Sequence, residues 1–111
     1  GAYEQNPKSE SYVDLSKGLP DIYWQGCLWG GQVPQVCDMI DDLQARINRD
    51  LENDIVAVWH DESQINKYFL ERITDVHTFD SSYAFPEVFE SYCNFSPKIV
   101  HLAKDNSVYQ K

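Results

Sequence analysis

Between Pro34 and Leu51, apolar residues recur at Val36, Met39, Ile40, Leu43, Ile47 and Leu51. Steps of three and four residues gather these side chains on one face of an α helix, with acids, Arg46 and Arg49 opposite. A helix of that length with one apolar face must lie on a core, so the remaining segments are arranged around it. Glu62 to Glu71 repeats the pattern with Ile65, Tyr68 and Phe69 on one helical face, and Ile55 to Val58 is a short apolar run leading into it.

The other segments read as strands and turns. Asn6-Pro7 and Gly18-Leu19-Pro20 punctuate a loop with at most a short strand at Ser11-Tyr12-Val13. Ile22 to Trp29 is aromatic and β-prone and ends in Gly30-Gly31, which predicts a strand running into a glycine turn. Val76 to Phe79 is expected to be extended, Tyr83 to Pro86 to turn, and Lys98 to Leu102 to form a late strand. The fold class expected is α/β. No repeat, low-complexity segment or linker divides the sequence, so one domain over residues 1–111 is expected.

Composition narrows the function classes. A hydrophobic fraction of 42% with 14% aromatic residues is enough for a modest core. The formal charge of −9 argues against a nucleic-acid partner, because phosphate contacts need a basic face. Cys27, Cys37 and Cys93 are odd in number and form no C-x-x-C pair, so neither a disulfide framework nor a structural zinc site is expected. A reducing compartment is the modest inference. There is no run of about 18 apolar residues and no basic segment leading into an apolar one, so neither a membrane span nor a signal peptide is expected here. The first residue is Gly1 and not Met, which suggests a partial or processed product.

The chemistry concentrates in Trp59-His60-Asp61-Glu62-Ser63, followed by Asn66-Lys67-Tyr68. Three hydrogen-bonding side chains stand in a row beside an indole where a helix begins. Asp61 with Gln64 three residues on matches a capping box, which would set the triplet on the rim of the helix. The plainer alternative is that Asp61 only caps and Glu62 is a first-turn acid favoured by the helix dipole.

These residues carry a resemblance. Tyr3-Glu4, Pro7, Tyr12, Asp21-Ile22-Tyr23-Trp24 leading through Gly26 to Gly30-Gly31, the Trp59–Ser63 block with Asn66-Lys67-Tyr68, then Ser82-Tyr83 and Lys104 occur in one order. In that order they resemble the C-terminal part of glycosyltransferase family six, which includes the histo-blood-group A and B transferases and the α-1,3-galactosyltransferases. The resemblance is to a member of bacterial type. It implies the C-terminal portion of a GT-A nucleotide-diphospho-sugar transferase fold, incomplete on its own. The activity it implies is retaining transfer of galactose or N-acetylgalactosamine from a UDP-sugar to the 3-hydroxyl of a β-galactoside, itself in some cases fucosylated. No cofactor is expected in this chain, because the family's D-x-D motif for manganese, or the N-x-N that replaces it, would lie upstream. A bacterial member would be cytoplasmic or peripheral at a membrane, an animal one in the Golgi lumen.

By the same resemblance Glu62 falls on the catalytic carboxylate beneath the anomeric carbon. Retention needs a group on the face opposite the leaving group, and an ionised carboxylate there acts as nucleophile or offsets developing positive charge. His60 and Asp61 fall where sugar hydroxyls are bonded, and Trp59 on the indole that packs against the acceptor galactose; an indole that merely closes the core is the plain alternative. Gln25, Gly26 and Cys27 fall where members choose between galactose and N-acetylgalactosamine. The small Cys27 leans toward room for an acetamido group, while Gln25 departs from the Leu, Met or His of animal members and leaves the donor open. A Cys27 that only packs fits equally.

Lys104 falls on a basic residue that closes over the UDP diphosphate, where a cation would stabilise the leaving group. The family's arginine six residues later is Gln110 here, beside Lys111, and Phe85-Pro86-Glu87 stands where animal members have Trp-Asp. Two other classes compete. One is a non-catalytic carbohydrate-binding module keeping the Trp24, Trp29 and Trp59 surfaces. The other is a metal-dependent hydrolase on His60, Asp61 and Glu62 with His77 or His101, disfavoured because no metal-ligand spacing such as H-x-x-x-H is present.

Overall fold

The computed structural model describes residues 1–92, 94–105 and 107; Cys93, Gln110 and Lys111 lie outside that set. The chain divides into two compact units, Gly1–Val76 and His77–Lys111. The first holds helices α1 (Val33–Glu52) and α2 (His60–Glu71). The second pairs two short parallel strands, β1 (Phe85–Pro86) and β2 (Val100–His101), with Phe85 opposite Val100 and Pro86 opposite His101. The architecture is a small mixture of helix and strand.

Helix α1 starts with Pro34 in its first turn, where a missing N–H leaves no bond unmade. Its Met39 and Leu43 meet Ile65 and Tyr68 of α2 in the buried core, with Phe69 packed at the margin. Trp24 adds an edge-on contact to Phe69, with ring centroids 5.4 Å apart. The apolar face of α1 is wider than α2 can cover, so Ile40 and Leu51 stay exposed where the periodicity placed them inward. At the polar margin Arg46 bonds Asp42 one turn back at 2.7 Å and Glu71 of α2 at 2.6 Å, tying the helices together. The Arg72 guanidinium lies 3.7 Å from the centre of the Tyr68 ring.

Asp50 is buried near the end of α1. Its carboxylate accepts from Ser9 Oγ at 2.7 Å, the Glu10 N–H at 2.7 Å and Gln64 Nε2 at 2.8 Å. Three donors offset the cost of taking this charge out of water. The N-terminal loop is thereby fastened to both helices.

Several predicted strands take other forms. Residues 22–29 make turns and no strand, because the backbone of Trp24 bonds a side chain of α2 instead of a neighbouring strand. Around Ser11-Tyr12-Val13 there is a single parallel bridge, Glu4 to Tyr12. Val76 is extended, and residues 76–79 form no strand. The expected turn at 83–86 is a 3-10 turn over Ser81–Tyr83 that leads into β1. The late strand survives as β2, shorter than the alternation suggested.

Two stability outcomes follow from this packing. Ile65→Ala should lower unfolding free energy by about 2–5 kcal/mol, measured by urea titration, because the truncated residue is buried between the helices. The hydrogen bond from Arg46, with the charges of Arg46 and Arg72, holds the Asp42 carboxyl below its ordinary value. A carboxyl depressed by folding adds stability above its unfolded value and loses it as pH falls through the folded value. The urea midpoint of Asp42→Asn should therefore lie below that of the wild type at neutral pH, and the gap should close as pH drops below about 4.

Candidate active site

The Trp59–Ser63 block opens α2, and the backbone there departs from the capping box. The N-cap is Trp59, and Asp61 sits inside the first turn. The Ser63 hydroxyl accepts the Trp59 N–H at 3.0 Å, a bond from the first turn back to the N-cap amide, and the cap position itself carries no side-chain capping hydrogen bond. His60 adopts φ 50°, a left-handed conformation that costs a non-glycine residue on the order of 1–3 kcal/mol. A local bond and a long-range one hold it: the His60 N–H bonds the Ala57 carbonyl at 2.9 Å, and the Val58 N–H bonds the buried Glu4 carboxylate at 2.6 Å.

From this entry the side chains diverge. Glu62 turns toward the Tyr23–Gly26 segment. Its Oε1 accepts from the Tyr23 hydroxyl at 2.7 Å and its Oε2 from the Gly26 N–H at 2.7 Å. Burial, first, and then the hydrogen bond and charge of Glu62 push the Tyr23 phenol well above its ordinary value, so Tyr23 remains a donor. One turn along α2, the buried Asn66 accepts from the Trp24 N–H at 2.9 Å and donates to the Trp24 carbonyl at 2.8 Å. The same amide nitrogen donates to the Glu62 carbonyl at 2.9 Å.

His60 and Asp61 line a separate cleft of about 230 Å³ together with Ile47, Leu51, Ile55, Val56, Ala57 and Gln64. Ile55 and Ala57 point inward while Val56 and Val58 are exposed, the alternation of a strand. The Trp59 indole is about half exposed. Gln25 and Cys27 are both exposed, and the Cys27 thiol donates to Gln25 Oε1 at 3.4 Å. Gly26 differs from these two, because its missing side chain faces Glu62. Lys104 is exposed in the second unit, where Glu87 accepts the Ala103 N–H at 2.7 Å.

The structure thus gathers Glu62 and Gly26, and separately His60 and Asp61. Sequence reasoning missed Tyr23 and Asn66 as partners of Glu62. The signal for Asn66 was its place four residues after Glu62 on one helical face, whereas nothing local marks Tyr23. Among the described residues no three His, Cys, Asp or Glu side chains are grouped to hold a metal ion. A carboxylate held at both oxygens is oriented in advance and can stabilise a positive charge that develops next to it.

Residues 1–90 match the model of Glycosyltransferase family 6. Over 68 residues, 61% of the chain, it is 40% identical to Histo-blood group ABO system transferase 2 of Rattus norvegicus, covering 20% of that protein. Across the same number of residues it is 35% identical to Globoside alpha-1,3-N-acetylgalactosaminyltransferase 1 of Homo sapiens, covering 19%. It is also 28% identical over 90 residues to Glycosyltransferase 6 domain-containing protein 1 of Rattus norvegicus, 77% of the chain and 28% of that protein. The chain spans about a fifth of the length of the first two relatives. With residues 1–90 of its 111 matched by the family model, the chain belongs to glycosyltransferase family 6.

Proposed function

We propose that this chain is the C-terminal acceptor-binding and catalytic segment of a retaining glycosyltransferase with a GT-A fold. It moves galactose or N-acetylgalactosamine from a UDP-sugar to the 3-hydroxyl of a β-galactoside. The observation that carries the reading is the Glu62 carboxylate fixed at both oxygens by Tyr23 and Gly26. Such a group is oriented before substrate arrives, and preorganised charge costs no rearrangement when the glycosidic bond to UDP breaks. The transferases among the relatives support the reaction class.

In this reading the exposed Trp59 stacks on the apolar face of the acceptor galactose, and His60 and Asp61 bond sugar hydroxyls. Gln25 and Cys27, in contact with each other, border the donor sugar and set its identity. Lys104 meets the UDP diphosphate. A carbohydrate-binding module without catalysis is the second reading, favoured by the exposure of Trp59; it predicts acceptor binding with no response to UDP-sugar.

The test is turnover by the full-length protein with UDP-galactose and UDP-N-acetylgalactosamine on a fucosylated galactoside. Glu62→Gln should cut kcat by about 100-fold or more, while acceptor affinity, followed by NMR titration of the indole signals, stays nearly unchanged. Near-normal turnover in that variant refutes the assignment.

A further inference from the structure

The contacts on Glu62 come from one short segment, and that segment is built to deliver them. Tyr23 and Gly26 flank Trp24 and Gln25. The Trp24 backbone is pinned at both its N–H and its carbonyl by the Asn66 side chain, which also holds the Glu62 carbonyl. One buried carboxamide thus fixes the donor segment and the acceptor residue to each other.

Gly26 shows how close this approach is. A Cβ added there would lie 3.2 Å from Glu62 Cβ and 3.3 Å from both Cγ and Oε2, closer than ordinary van der Waals contact. Any side chain at position 26 would push Glu62 away or lift the amide off its carboxylate. The Tyr23 ring is itself braced edge-on by Tyr3, with centroids 5.4 Å apart. Each carboxylate oxygen carries two lone pairs, so the two bonds fix Glu62 and still leave lone pairs for a sugar.

We propose that Tyr23 and Gly26 are positioning residues that aim the Glu62 carboxylate, with Asn66 holding their segment in register. The inference rests on the reading of Glu62 as the carboxylate at the anomeric centre. It gives Gly26 a role different from its neighbours Gln25 and Cys27: its lack of a side chain serves Glu62 and not the donor's acetamido group.

The test is a double-mutant cycle in the full-length protein, reading kcat and acceptor KM separately. Tyr23→Phe keeps the ring and removes one donor to a charged group, and should lower kcat by about 10-fold or more with acceptor KM little changed. Gly26→Ala should lower kcat at least as much. In a Glu62→Gln background both substitutions should cost little further, because the group they aim is already gone. Equal losses in both backgrounds overturn the inference alone, since they mean that Tyr23 and Gly26 act on something other than Glu62. Near-normal turnover of Glu62→Gln by itself overturns the catalytic reading.

Discussion

The paired hydrogen bonds between the Asn66 side chain and the Trp24 backbone are the interaction on which the rest of the site depends. A carboxamide has a donor and an acceptor side by side, as a peptide group does, so Asn66 does for Trp24 what a neighbouring strand would do. The segment 22–29 therefore needs no ladder to satisfy its backbone at that point. Freed from a sheet, it can turn at Gly26 and bring an amide within bonding distance of Glu62. Because Asn66 is buried, water competes little for these bonds, and leaving any of its partners unpaired would be costly.

Two buried acids give the first unit a second polar frame. Asp50 collects donors from the N-terminal loop and α2, while Glu4 bonds the Asn6 N–H at 2.8 Å and the Val58 N–H at 2.6 Å. Through Glu4 the loop reaches the residue just before Trp59. The left-handed turn at His60 is thus held between the Glu4–Val58 bond on one side and the Ser63 hydroxyl on the other. A largely polar N-terminal segment, through the Glu4 carboxylate, still determines how the helix at the site begins.

Helix α1 was legible in the sequence because its period is local and long, and the seam formed by Met39, Leu43, Ile65 and Tyr68 follows from the same period. The Ile22–Trp29 stretch was not, because its aromatic and β-branched content favours a strand while the bond that decides its shape comes from Asn66, 42 positions from Trp24. Composition carries no information about such a partner. The capping box at Asp61 failed because the helix begins earlier, at His60 with Trp59 in the N-cap place, so Asp61 already stands inside the first turn. Glu62 stood out through its motif, but what orients it came from a segment that the motif does not include.

Asp61 and Glu62 are neighbours in the chain, and the helix sends them to different places. Successive residues on an α helix project about 100° apart, so Asp61 lines the apolar cleft while Glu62 meets Tyr23 and Gly26. Adjacent acids of nearly the same chemistry are therefore not interchangeable. If Glu62 were lost, no rotamer of Asp61 could recover its bonds, since the shorter side chain starts from another face. The doublet that looks redundant in the sequence is in three dimensions two carboxyls with separate surroundings.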